Sequence, residues 1–253
     1  PDYREKMNAG QSPFLPVLDD ILQNVPVENQ IPLGQVEIPL ELLVGTKTSG
    51  RTAAFASNFM PLLGLKTEFA TKWINLCVSH VDEGIRDPIR CFEYMGRFYV
   101  QEGNKRVSVL KYFEAGSVTG NVTRVVPKYN DTPEVRLYYE FMHYYPLIQT
   151  YLLTFTKPGS YARLQKILGK GPDEKWSDED RTEIMSLYNW VEKAFLAHRV
   201  KLFAVFGLVQ QHGQNRSHRD TDYGQHGETA EVHVDKRHQA RIGKRGHMGR
   251  ADQ

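Results

Sequence analysis

Cysteine is scarce in this chain. There are two among 253 residues, Cys77 and Cys91, and neither belongs to a CxxC or Cys/His spacing. That argues against a cysteine-based metal or redox motif and suits a reducing, cytoplasmic setting. Net charge is also nearly absent, since 32 basic residues face 30 acidic ones for a formal +2. Whole-protein charge therefore points to no polyanionic partner, and any basic site has to be local. No stretch approaches the roughly 18 consecutive apolar residues of a membrane span. The N-terminus lacks a basic-then-apolar signal pattern, so no membrane association is expected.

What is present is a hydrophobic content of 40%, enough for one sizeable core or two small ones. Residues 1–34 hold five prolines and mixed polarity, with one apolar patch over 14–22. They read as an N-terminal arm with a helical turn. From Gln35 the pattern alternates through Val36, Ile38 and Leu40 into Leu42, Leu43 and Val44, a strand leading into a buried one. Residues 68–81 place Phe69, Trp73, Ile74, Cys77, Val78 and Val81 at helical spacing, an amphipathic helix with one apolar face that Gly84 ends. Asp87-Pro88 then introduces a hairpin over 89–94 and 97–101 with its turn at Met95-Gly96. Val107, Leu110 and Phe113 describe a short helix closed by Gly116, and 120–126 form a β-branched strand that stops at Pro127. Strand, loop, helix, strand, strand, helix, strand is an α+β order with a small mixed sheet, spanning residues 35–127.

After Pro127 the pattern becomes helical, and residues 128–209 read as a helical extension. Asp131-Thr132-Pro133-Glu134 marks a helix start, and an aromatic run reaches Tyr145 before Pro146. A second helix covers 160–168 before Gly169, and Ser177-Asp178-Glu179-Asp180 opens a longer one with Ile184, Leu187, Tyr188, Val191 and Phe195 on one face. Residues 210–253 keep a single aromatic, Tyr223, and collect six of the nine histidines. That composition predicts a disordered tail without a metal site, because the histidines lack short fixed spacings.

The chemistry concentrates at residues 101–116. N–H groups at a helix start have no partner within the helix, and the helix dipole adds partial positive charge there, so anions are favoured. Gly103 permits close backbone approach, and Lys105 and Arg106 bring two cations to the same turn. Cations in a first turn oppose the dipole, and a bound anion relieves that conflict. An ordinary strand-to-helix turn with solvated basic side chains is the competing reading. The loop 45–52, GTKTSGRT, nearly fits a P-loop but has Arg51 where the lysine belongs, and no following magnesium-binding aspartate is evident. Thr46, Ser49 and Arg51 are read as a second wall of the same cleft.

Several of these residues together resemble the ParB/sulfiredoxin superfamily, in its ParB-like N-terminal (nuclease/CTP-binding type) form. Gly84-Ile85-Arg86-Asp87-Pro88-Ile89 is similar to the family's G-[IV]-x-x-P-[IL] link. Gly103-Asn104-Lys105-Arg106 with Ala115-Gly116 is similar to its G-E-R-R box and A-G helix end. The resemblance covers about a third of the chain and implies a sulfiredoxin-like fold. It further implies a phosphate-bearing ligand such as CTP or ATP with Mg, held at Gly103, Asn104, Lys105 and Arg106, in a bacterial, DNA-associated transcriptional regulator. Two departures matter. Asn104 replaces the box glutamate, and it stands where sulfiredoxin has its reactive cysteine, so that enzyme's thiol chemistry is not expected.

Two alternatives stand beside this reading. One is a phosphotransferase or nucleotide hydrolase in the same cleft with Glu102 as base, against which Glu102 also reads as a solvated loop acid. The other is a protein-interaction module with a vestigial pocket. A DNA partner has no clear helix-turn-helix behind it, since residues 169–176 exceed the usual short turn and the next helix opens with acids. A homodimer is compatible with the pattern. The aromatic run 138–145 reads as core rather than as a base-stacking surface.

Overall fold

A computed structural model describes residues 2–198, and the chain divides after Asp131 into two compact units. The first holds a five-stranded mixed sheet in the order β1-β5-β3-β4-β2. Its strands are β1 (Val27–Pro39), β2 (Leu43–Thr46), β3 (Ile89–Tyr94), β4 (Arg97–Glu102) and β5 (Ser117–Pro127). β1 and β3 flank β5, antiparallel and parallel respectively, while β4 pairs antiparallel with β3 and parallel with β2. The α+β class expected from the sequence is the class observed.

The hairpin joining β3 to β4 turns at Met95 and Gly96, both at positive φ (51° and 73°). This is the handedness that matches strand twist in a two-residue hairpin turn. Glu93, fully buried at 0% exposure, accepts from the Gly96 N–H at 2.7 Å and pairs with the Arg124 guanidinium of the neighbouring strand. One carboxylate thus holds both the turn and the parallel β3/β5 seam. Arg124 lies opposite Glu93 in the register and is itself buried.

Two helices carry the other residues of interest in this unit. α3 (Glu68–Asp82) starts at Thr67, whose side chain accepts from the Ala70 N–H at 3.2 Å. α4 (Asn104–Tyr112) follows β4 directly. The Trp73 indole N–H donates to the Ser108 hydroxyl at 2.8 Å, and its ring meets Tyr112 edge-on, which joins the two helices. Leu18 packs elsewhere with Tyr99 and Val125, together with Leu22, Val44, Phe92 and Tyr94.

Four expectations are corrected here. Residues 1–34 are not an arm. They contain α1 (Asp2–Asn8), α2 (Leu18–Leu22) and the first half of β1, with Leu15, Val17 and Leu18 buried. The Thr46 N–H donates to the Pro16 carbonyl at 2.9 Å and the Asp19 N–H to the Lys47 carbonyl at 3.1 Å, stitching this segment to β2. α4 is closed by Glu114 at φ 56° rather than by Gly116, because the left-handed residue falls right after the last turn. The outer part of the α3 apolar face is uncovered: Ile74, Val78 and Val81 are 48%, 54% and 69% exposed.

The fourth correction lies in the second unit, whose described helices are α5 (Pro133–Ile148), α6 (Ser160–Ile167) and α7 (Asp178–His198). Pro146 does not end α5 but sits in its last turn, where it removes a single backbone donor and the helix still runs on to Ile148. Tyr138, Phe141 and Tyr144 are buried and pack with Tyr151 and Tyr161, so the aromatic run is core. Ser177 and Asp180 cap α7 reciprocally. The Ser177 hydroxyl accepts from the Asp180 N–H at 3.1 Å, and the Asp180 carboxylate accepts from the Ser177 N–H at 2.8 Å. No described helix is long and apolar enough to cross a membrane. The histidine-rich segment 210–253 lies outside the described residues.

Removing one member of the Glu93–Arg124 pair leaves the other charge buried without its main partner. Glu93→Leu and Arg124→Met are each expected to lower the unfolding free energy by roughly 3–5 kcal/mol in urea titrations, while the double variant recovers much of the loss.

Candidate anion site at the start of α4

Gly103 ends β4 in the left-handed region, φ 103° and ψ 17°, and supplies no side chain to cap α4. A Cβ at this position would lie 2.7 Å from Ile89 Cγ2, so the turn accepts glycine alone. The first turn of α4 therefore opens with uncapped N–H groups and partial positive charge.

The residues expected around it separate into three groups. Arg106 lies beside the turn, its Nε 3.3 Å from where a Gly103 Cβ would sit, and its Nη1 donates to the Asp87 carbonyl at 2.9 Å and the Pro88 carbonyl at 2.8 Å. It ties α4 to the link that precedes β3. Thr46 is also committed, being buried with its hydroxyl donating to the Val100 carbonyl at 3.1 Å. Both side chains therefore carry structural hydrogen bonds of their own.

Lys105 behaves differently. Its ammonium sits 4.8 Å from the centre of the Phe69 ring, at the start of α3. Burial holds its pKa below the ordinary lysine range, the charges of Lys72 and Arg51 lower it further, and Glu68 opposes them. Lys105, Arg51 and Lys72 thus form a cationic group, with Glu68 already paired to Lys72 at 2.5 Å. Lys72 was missed by sequence reasoning. Its i,i+4 spacing to Glu68 signals only a surface ion pair, whereas its nearness to Lys105 depends on how the two helices meet.

The remaining positions contribute less. Ser49 is exposed in the 3-10 turn Ser49–Ala54, where its carbonyl accepts from the Thr52 hydroxyl at 2.8 Å. That segment follows β2 as a 3-10 turn and not as the α-helix a P-loop requires, so the P-loop alternative is set aside. Glu102 lies exposed beside its cross-strand neighbour Arg90 at 3.8 Å. Its solvated-acid reading fits that placement. Asn104 is 7% exposed and its Oδ1 meets no hydrogen-bond donor. No thiolate stands ready either, since burial, with the charge of Glu93 second, pushes the Cys91 thiol up to about 12, and burial raises Cys77 as well.

These features define an α+β protein with a mixed sheet and a cationic, uncapped helix start. No family model matches the chain, and no curated protein matches it. Among solved structures it is similar to sulfiredoxin from Arabidopsis thaliana, at 20% identity with a TM-score of 0.24, over 35% of this chain and 82% of that one.

The division of labour between neighbours is testable by stability. Arg106→Ala is expected to lower the unfolding free energy by about 1.5–3 kcal/mol, the scale of hydrogen bonds from a charged donor. Gly103→Ala costs about 1–3 kcal/mol in backbone strain, with the Ile89 clash in addition. Lys105→Ala, which loses chiefly a contact with Phe69, costs about 1 kcal/mol or less. Urea titration of the three variants gives the ranking.

Proposed function

We propose that this protein binds a phosphate-bearing small molecule at the start of α4, with a nucleotide such as CTP or ATP, accompanied by Mg, as the ligand class. It acts as a ligand-controlled regulator of the ParB-like type. The observation that carries this reading is the cationic group of Lys105, Arg51 and Lys72 beside an uncapped helix start, where the lysine pKa is depressed partly by its own cationic neighbours. Such a group is relieved by a bound anion. Gly103 supports it by keeping side-chain bulk away from the turn. Arg106 supports it indirectly by fixing the link on which the turn rests.

Calorimetric titration with CTP, ATP, ADP and GTP in magnesium tests the reading. Lys105→Ala and Arg51→Ala are each expected to weaken the nucleotide that binds about tenfold, corresponding to about 1.4 kcal/mol. Absence of binding by all four would overturn the proposal. The pH dependence has a fixed sign. A bound anion raises the depressed Lys105 pKa, so affinity is greatest below the free-state pKa and falls as the pH climbs through it. Over that alkaline window binding takes up protons, which shows as a buffer-dependent heat.

A further inference from the structure

Asn104 holds a feature of the anion site that charge alone does not explain. It is 7% exposed, and among the described residues its Oδ1 is a buried side-chain acceptor with no hydrogen-bond partner. A buried polar atom left unpaired opposes folding, so it calls for a reason. The surroundings say where the amide is aimed. Lys105 lies over Phe69 near the start of α3, the Ser108 hydroxyl accepts from the Trp73 indole, and the Phe113 ring meets His80 near the α3 end. The two helices therefore run in the same direction with their positive ends together. Asn104 shares the α3-facing side of α4 with Ser108, one turn further on, and helical side chains tilt toward the N-terminus. Its amide is thus directed into the junction between the two helix starts. The terminal torsion of asparagine is broad, so turning the amide brings Oδ1 to the uncapped N–H groups without moving the backbone.

An anion satisfies the N–H groups and the cations, but an acceptor oxygen needs a donor. A ligand ammonium at this point is opposed by Lys105, with Arg51 and Lys72 close enough to act on that lysine. The donor therefore has to belong to the anion itself. At about pH 6, the second pKa of a phosphate monoester, half of it still carries an O–H, whereas sulfate and phosphate diesters carry none. We infer that the Asn104 side-chain carbonyl accepts the O–H of a monoprotonated terminal phosphate, and that it thereby selects phosphate monoesters over sulfates and diesters. The inference rests on the phosphate-ligand reading above and narrows it. A nucleotide binds here through its terminal phosphate, and cyclic nucleotides, which lack one, are rejected.

Calorimetric titration of the full chain at about pH 6 with inorganic phosphate, sulfate, CTP, ATP, ADP and GTP tests the assignment. The unaltered protein is expected to prefer phosphate over sulfate about tenfold or more. Asn104→Leu, close in size and without the oxygen, is expected to bring the two anions within about twofold of each other. Its melting temperature stays equal or rises, since the unpaired atom is gone. Asn104→Asp restores an acceptor and is expected to keep the preference while weakening both anions. A protein that binds a nucleotide, yet binds inorganic phosphate no better than sulfate, overturns the acceptor role and leaves the ligand reading standing. So does loss of the preference in Asn104→Asp. An Asn104→Leu protein that is less stable with its preference intact also overturns it, by assigning Oδ1 to a buried water. If neither the inorganic anions nor any of the nucleotides binds, both readings fall.

Discussion

The buried pair of Glu93 and Arg124 is the constraint on which the first unit depends. A carboxylate and a guanidinium withdrawn from water are expensive, and their attraction offsets that cost only with good geometry and further hydrogen bonds. Here the second oxygen of Glu93 is taken by the Gly96 N–H at the hairpin turn. The same side chain therefore fixes the order of β3 beside β5 and the start of β4. A slip of one residue in either strand would turn the charge to the opposite face of the sheet, so the pair specifies register more sharply than an apolar contact of the same size.

Consequences run outward from that register. β4 leaves the hairpin at Arg97 and ends at Glu102, which delivers Gly103 over Ile89 of the neighbouring strand. The close approach there admits no side chain, and the left-handed turn it enforces sets the direction of α4. Arg106 then returns from the first turn of the helix to the carbonyls of Asp87 and Pro88, just before β3 begins. The candidate anion site is thus a by-product of a closed loop of constraints: link, strand, turn, strand, glycine, helix, and back to the link. Of the two cations adjacent in sequence, one closes this loop and the other lies over the Phe69 ring.

Much of this was legible in the sequence where the cause is local. Residues 68–81 announced α3 by periodicity, Met95-Gly96 announced the hairpin by turn chemistry, and Gly103 announced the helix start. The first half of β1 was hidden because residues 27–34 form an exposed ribbon paired with β5, where no buried face imposes alternation and Pro32 argues against a strand. Helix ends misled for the same reason that glycine usually helps: Glu114 holds the left-handed position that Gly116 appeared made for. The roles of Thr46 and Arg106 were beyond reach, since each is decided by a carbonyl distant in the chain.

The α3 face shows how periodicity can be right about an element and wrong about its surroundings. A hydrophobic stripe wide enough to predict one buried face contains here two adjoining strips. One, from Phe69 through Trp73 to His80, meets α4 or the residues near it, as the contacts to Ser108, Tyr112 and Phe113 show. The other, Ile74, Val78 and Val81, has no such contacts to account for it. A sequence records that a residue is apolar without recording what covers it. When a stripe is broader than the neighbouring helix can cover, the remainder is a property of the surface.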